Sequence, residues 1–456
     1  MHKYTTISNY ELTLNLQFII IYFIMLNPLA QELNESLKGT SAEALFSDLG
    51  KRIYFPKGII AQGGEAKQKA SVANGTIGTT VINGKPAILP SVQKWAPELS
   101  SGELVAYAPT AGIPAIREAW KQKQITKNPS LANKKTSLPV VVPGLTAGLS
   151  YIMDLFVGDN KPMLAPNPSW DNYVLIAEAR RGSEFHQFDM FKNGAFNITG
   201  LEEAVKAEAK KYGSVRLILN FPQNPSGYSP TSAEVKELCR ILKETAETGA
   251  KVLVISDDAY FGLNYEPAIE PESLFAHICD LHENVLAVKA DGPTKEDFAW
   301  GLRCGFLTFG CKGYTDAQYD ALVKKLMGVI RSSVSCAATP SQTLILKSFQ
   351  DPNNDAEKAA FRKVLEGRYK VVRNFVDTHK CSGLEALPFN SGYFMSFKTL
   401  GIDAEALRVK LLNEKGIGTI SIDSQTLRVA FSSIEENLIE KVYTEIYATA
   451  EEMKRA

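Results

Sequence analysis

KVLVISDDAYFG, residues 251–262, carries four consecutive apolar residues from Val252 to Ile255 and then stops at Ser256 and two aspartates. A strand with one wet face alternates apolar and polar residues, whereas a strand covered on both faces need not. The stretch therefore predicts a buried strand of a parallel sheet, ending at Asp257. The same reading applies to LPVVVP (138–143), KPMLAP (161–166), VRLILNFP (215–222), NVLAVKAD (284–291) and CGFLTFG (304–310). Segments of helical spacing lie among these runs. IPAIREAWKQKQI (113–125) has Pro114 near its start, AGLSYIMDLFV follows the first run, and a helix is expected around 231–247. Alternation of this kind predicts an α/β protein with helices on both faces of a mainly parallel sheet.

The chain has 456 residues, 45% of them apolar and 22% charged, with 50 basic and 50 acidic side chains. That is ordinary globular composition, long enough for two or three domains. A net charge of zero offers no basic excess for nucleic acid and no acidic solvating arm. The six cysteines, Cys239, Cys279, Cys304, Cys311, Cys336 and Cys381, are scattered without a CxxC pair. This suits reduced thiols and a cytoplasmic location. His277 and His282 stand five apart, poor spacing for ligation from one helix face, and no metal is expected. The apolar run LQFIIIYFIML near the N-terminus has eleven residues, too few to span a bilayer. Residues 1–24 are expected to be an extension that adds nothing to the fold, with Met25 a natural start. A signal peptide or anchor is the competing reading, for which NPLAQ is a weak cleavage site. Nothing else reaches transmembrane length, so no membrane association is expected.

Outside the main pattern, residues 30–50 read as a helix. Residues 55–90 read as loops with a short hairpin at Asn83-Gly84. After about 312 the chain turns helical, with a long helix through 355–378. SGYFMSF (391–397), GTISI (418–422) and TLRVAFS (426–432) then read as strands of a smaller sheet. There is no repeat and no low-complexity linker.

In open parallel sheets, ligands bind beyond the carboxyl ends of the strands. GLTAGL (144–149) follows the first run and could hold a phosphate on its N–H groups. NPSWDNY (167–173) brings Trp170, QNPSGY (223–228) brings Asn224, and DDAYFG (257–262) brings Asp257 and Tyr260. KADGPTKEDFAWGLRCGFLTFG (289–310) brings Lys295 and Arg303. Each has an ordinary structural explanation when taken alone: a helix start, a core tryptophan, a turn, a helix cap. Together they amount to a phosphate cradle, an aromatic face, an amide, a carboxylate with a phenol, and a lysine with an arginine. That inventory suits pyridoxal phosphate.

With these motifs in this order, residues 50–450 resemble a fold-type I, class I/II aminotransferase of the aspartate and aromatic aminotransferase kind. The resemblance implies a three-layer α/β/α large domain with a mainly parallel seven-stranded sheet, residues 91–345. It implies a smaller α+β domain built from both chain ends, 25–90 and 346–456. It implies transamination between an amino acid, acidic and aromatic ones being candidates, and a 2-oxo acid, by a ping-pong route through a Lys295 aldimine. Lys295 would also shuttle the proton. Asp257 would pair with the pyridinium nitrogen, Asn224 and Tyr260 would contact the ring oxygen, and Trp170 would stack on the ring. Leu145, Thr146 and Arg303 would hold the phosphate. Tyr107, in YAPTAG, resembles a tyrosine that reaches the phosphate of a neighbouring subunit, which implies a homodimer with shared active sites. Arg428 resembles the α-carboxylate clamp, and Ile77 and Gly78 the loop that covers the substrate. Arg331 resembles an arginine lent across the dimer to an acidic side chain; the other reading is a structural arginine of the interface. One departure stands out. The family has a hydroxyl three residues before the lysine, and here Gly292 stands there, so that phosphate donor is lost or supplied by Thr294 or Thr146.

Three other readings compete. A lyase or decarboxylase could use the same cofactor on the same fold. A nucleotide-binding oxidoreductase would need a GxGxxG that is missing after the first strand. A cofactor-sensing regulator would need a DNA-binding module, for which there is neither room nor basic charge before residue 50.

Overall fold

The computed structural model describes residues 26–38, 40, 46–54 and 58–455. The expected extension, residues 1–24, lies outside them. In chain order the elements that position the site begin with helix α1 (Ile59–Lys69) and helix α2 (Pro114–Lys127). Strand β1 (Val140–Val142), helix α3 (Leu145–Phe156), strand β2 (Met163–Asn167) and strand β3 (Phe185–Asp189) follow. Then come β4 (Ser214–Asn220), helix α4 (Ser232–Glu247), β5 (Lys251–Asp257), β6 (Val285–Asp291) and β7 (Gly305–Gly310).

These seven strands form one sheet in the order β1-β7-β6-β5-β4-β2-β3. Only β7 runs antiparallel, against β6 on one side and β1 on the other. Alternate side chains feed opposite layers, as a pleat with period two requires. Val252 and Val254 of β5 enter one apolar cluster with Val235, Leu238 and Ile241 of α4. Leu253 and Ile255 enter the other, with Leu149, Ile152 and Met153 of α3. Burying each such side chain is worth roughly 1.5–3 kcal/mol, which is why the runs need no polar interruption. Helix α4 starts where the sequence says it should: Thr231 and Glu234 form a reciprocal capping box.

Beyond the sheet the chain is helical through α5 (Asp316–Ser333) and α6 (Asn354–Thr378). Strands β8 (Leu384–Ala386), β9 (Met395–Thr399), β10 (Ile420–Asp423) and β11 (Thr426–Val429) make a second sheet, ordered β8-β9-β11-β10 and wholly antiparallel. Helix α6 and the final helix α7 (Glu436–Arg455) cover it, Val372 and Phe375 packing with Val442, Tyr443 and Ile446. The N-terminal segment joins this body. Ala73–Asn74 pairs in parallel with Ile417–Gly418, and the Gln62 amide donates to the Ser421 carbonyl at 3.1 Å.

Two local expectations are corrected. Residues 30–50 are not one helix: Pro28–Ser36 is helical, the chain leaves the helix at Leu37, and Asp48–Arg52 starts a new one under a Ser47 cap. Residues 55–90 hold the helix α1 as well as the expected hairpin. That hairpin joins Val81–Ile82 to Lys85–Pro86, with Asn83 and Gly84 both at positive φ.

Behind the sheet edge sits a buried charge cluster. Lys289 of β6 is fully buried, bonded to Asp258 and 3.6 Å from Asp291. Asp258 also accepts from Ser256 (2.7 Å) and Ser273, while Asp291 accepts from Trp120 Nε1 (2.9 Å) and Gln124 Nε2 (3.1 Å) of α2. The cluster pins the ends of β5 and β6 to each other and to α2.

Candidate active site

The carboxyl ends of β1, β2, β4, β5 and β6 open on one edge of the sheet. Because β7 runs the other way, the residue shortly before it, Arg303, comes to the same edge. A cavity of about 490 Å³ lies there, between the sheet and the antiparallel body. It is lined by Ile77, Gly78, Leu145, Thr146, Trp170, Asn224, Asp257, Tyr260, Thr294, Lys295, Arg303 and Arg428. Two expected residues do not line it. Tyr107 is 93% exposed, and Arg331 lies on the exposed side of α5.

Asp257 is buried at the end of β5. Its carboxylate accepts from the Tyr173 hydroxyl and from the Ala259 N–H (3.2 Å). Burial pushes its carboxyl up to about 6, and the Tyr173 bond and the Lys295 charge only partly oppose this. A proton-holding group is therefore poised inside the cavity rather than permanently ionised. Asn220 fixes the strand end by donating to the Asp257 carbonyl (2.7 Å), and its side-chain oxygen takes the Asn224 N–H (2.7 Å).

Lys295 stands in a one-turn helix, Pro293–Glu296, directly after β6. Its Nζ donates to the Gly78 carbonyl (2.8 Å) and lies 5.0 Å from the Tyr260 ring centre. The approach is close: a Cβ on Gly78 would fall 2.9 Å from Phe394 and 3.1 Å from Lys295 Nζ. Burial, reinforced by the charges of Arg428 and Arg303, pulls the amine down to about 7. Below about pH 7 the group is an ammonium and inert; above it the free amine dominates, where an exposed lysine would wait until about 10.4. Labelling of the cofactor-free protein by an amine-specific reagent is expected to modify Lys295 first, with a midpoint near pH 7. A midpoint near 10 by peptide mapping would contradict the site as described.

An anion cradle lies at the other end. Gly144, at φ 87, turns the chain from β1 into α3. A Cβ there would fall 2.5 Å from the Arg303 guanidinium. So a cation packs on the positive end of a helix, an arrangement that is unfavourable unless an anion sits between them. Thr146 and Thr294 line the same region. Gly292 has little space for the family's hydroxyl. Its backbone is extended, but a Cβ would lie 3.0 Å from the Cys304 carbonyl and 3.1 Å from the Gly305 Cα.

Arg428 of β11 reaches in from the second sheet. It is only 2% exposed, yet it meets neutral acceptors: Asn224 Oδ1 (2.8 Å) and the Thr76 carbonyl (2.9 Å). Its Nε has no partner, and the guanidinium lies 4.3 Å over the Phe394 ring. Burial lowers it to about 10. A buried cation with no carboxylate in contact, Asp171 acting on it only from a distance, is able to take one. Sequence reasoning missed Thr76, Tyr173, Asn220 and Phe394, as well as Lys67 and its neighbours on α1. Tyr173 lay in plain view, three residues past Trp170; its ring meets the Trp170 ring edge-on at 5.5 Å.

The profile of the family "Aminotransferase class I and II" matches residues 80–446. An aspartate aminotransferase of Sulfurisphaera tokodaii is 21% identical over 421 residues, covering 89% of this chain and 94% of its own. An aminotransferase structure from Anaerococcus prevotii superposes with a TM-score of 0.76 at 23% identity, over 87% of this chain and 97% of its own. A Pyrococcus horikoshii kynurenine aminotransferase, solved with PMP, superposes with a TM-score of 0.74 at 16% identity, over 91% and 99%. The chain belongs to the class I and II aminotransferases. It is a transaminase, built on the mixed α/β fold of that family.

Proposed function

We propose that this transaminase uses pyridoxal 5′-phosphate and alternates two half-reactions in one cavity. An amino acid leaves as its oxo acid, and a 2-oxo acid leaves as an amino acid. The observation that carries the reading is the set of groups brought to one cavity: a buried carboxyl at Asp257, an amine at Lys295, an anion cradle at Gly144 and Arg303, and Arg428 with its Nε unpartnered. The fold neighbour solved with PMP supports it.

Bound there, the cofactor would supply an aldehyde for covalent attachment of an amine and an electron-poor ring that acidifies the substrate Cα. The chain's own residues do the rest. Lys295, as a free amine, takes the proton from Cα and returns it two bonds away, on the carbon beyond the amino nitrogen. Asp257 holds the proton of the ring nitrogen. Asn224 and Tyr260 donate to the ring oxygen, and Trp170 covers the ring face. Leu145, Thr146, Thr294 and Arg303 hold the phosphate. Arg428 clamps the substrate α-carboxylate, and Ile77 and Gly78 cover it. Tyr107 serves the site of a second subunit. In support, Leu104 and Val105 beside it are 48% and 76% exposed, an apolar edge that a homodimer would bury. All six cysteines are free, which suits a reducing, cytoplasmic setting. Among the described residues no helix is long and apolar enough to cross a membrane.

The test is the visible spectrum of the protein reconstituted with pyridoxal phosphate, before and after excess glutamate without oxo acid. A long-wavelength band that converts to a shorter-wavelength one is expected. Failure to form any band removes the cofactor. Release of ammonia or carbon dioxide from the amino acid would replace the transaminase with a lyase or decarboxylase.

A further inference from the structure

We propose that α1 carries the substrate side-chain subsite, and that Lys67 selects substrates bearing a second anionic group. This rests on the transaminase reading, because it takes Arg428 to hold the α-carboxylate.

Ile59, Gly63 and Lys67 recur every four residues, so they share one face of α1, and all three line the cavity together with Gly64. The rest of the helix fixes that face in place. Gln62 exchanges two hydrogen bonds with the Ser421 backbone, donating at 3.1 Å and accepting at 2.9 Å. Ala66 is buried against Gly418, and Glu65 pairs with Arg408 at 3.1 Å. The helix therefore cannot roll to hide Lys67 without breaking contacts to the second sheet.

The two glycines are informative. Neither has positive φ, so neither is required by the backbone conformation. Neither is required by crowding: a Cβ on Gly64 would meet nothing within 4 Å, and one on Gly63 only Thr76 Oγ1 at 3.7 Å. In a helix each costs up to about 1 kcal/mol relative to alanine. What their missing side chains leave is open space: Gly63 is half-buried while Gly64 and Lys67 are exposed, so the helix face from Ile59 to Lys67 is a shallow trough at the mouth of the cavity.

Charge gives the trough its specificity. The cavity wall holds four cations, Lys67, Lys295, Arg303 and Arg428, against one carboxyl, Asp257. Attachment, phosphate and α-carboxylate account for three of the cations. Lys67 has no hydrogen-bond or ion-pair partner among the described residues. Arg331, the other candidate for an acidic side chain, is outside the cavity of its own chain. A cation at the end of an uncrowded trough, in the same cavity as the α-carboxylate clamp, fits an amino or oxo acid whose side chain ends in an anion.

The experiment uses the reconstituted enzyme and three forms: wild type, Lys67→Gln and Lys67→Arg. Calorimetry measures binding of glutarate against butyrate, and steady-state kinetics measures 2-oxoglutarate against 2-oxobutyrate. A charge-assisted contact on an exposed lysine is expected to set a ratio of about tenfold, near 1.4 kcal/mol. Lys67→Gln should lose that preference for the dicarboxylate in both measurements, with an unchanged spectrum, and Lys67→Arg should restore it. An unchanged preference in Lys67→Gln, or no preference in wild type, overturns the proposal. If glutarate binding depends on Lys67 but no oxo acid is turned over, the transaminase reading fails and the subsite stands.

Discussion

Lys295→Ala is expected to reduce transamination by about 10⁴-fold or more, because the same amine both attaches the cofactor and carries the Cα proton. The structure says the loss will be chemical rather than architectural. The turn that carries Lys295 is held from its backbone: the Tyr393 hydroxyl donates to the Lys295 carbonyl at 2.9 Å, a contact that alanine keeps. What is removed is the Nζ bond to the Gly78 carbonyl and the contacts of Nζ with the Tyr260 and Tyr393 rings, none of which holds the backbone of the turn. Unfolding midpoints should therefore stay close to wild type while the long-wavelength band of the reconstituted protein disappears. A small primary amine added to the mutant should recover part of the proton transfer. Wild-type-like turnover by Lys295→Ala would sink the assignment of this residue and, with it, the reading of the cavity.

Asp257→Ala is expected to be the second largest effect, a fall in kcat of about 10²–10³-fold, the usual scale for removing one preorganised charge from a desolvated site. Asp257→Asn separates charge from shape. The amide oxygen can still accept from the Ala259 N–H, while the NH2 in the other position donates to the Tyr173 hydroxyl oxygen, so the strand end should keep its form. It cannot stay negative beside a protonated ring nitrogen. Both variants should therefore lose kcat to a similar degree, with the Asn variant the more stable of the two in urea. An Asn variant with near wild-type kcat would show that the carboxyl orients and does not charge-stabilise. In the cofactor-free protein the carboxyl pushed up to about 6 should be seen titrating by carbon-detected NMR in the wild type and should vanish in both variants.

The central sheet was readable because its strands are covered twice. Val140–Val142 or Val252–Ile255 has no wet side, so apolar runs mark them without any need for periodicity. Phe185–Asp189 was not readable for the opposite reason. It is the edge strand, only Phe188 is buried, and His186 and Gln187 interrupt the pattern. Helix α1 was hidden by Gly63 and Gly64, poor helix formers; contacts to a strand some 360 residues later hold it, Gln62 to Ser421. No local signal can announce a contact at that separation. The residues with chemistry were legible because strand ends collect ligands, and Lys295, Asp257 and Arg428 do converge. Their supports were not: Tyr173 and Asn220 act through partners that sequence spacing does not display. Tyr107 and Arg331 stay apart from the cavity in a single chain, so only an assembled oligomer can test them.

The buried lysine between two aspartates under the strand ends also constrains how this protein can change over generations. Taking away one partner leaves an unmatched charge in the interior, which typically costs 3–5 kcal/mol, while exchanging the whole group for apolar residues of similar volume is often neutral. Lys289, Asp258 and Asp291 are thus locked into joint inheritance. Each single replacement is a fitness valley, and a distant descendant that had replaced all three would reach level ground only by also replacing Ser273, Trp120 and Gln124, whose donors these aspartates satisfy. Such a descendant would carry the same Asp257 and the same Lys295 on the other side of the sheet, with no trace in the cavity of how the route was crossed.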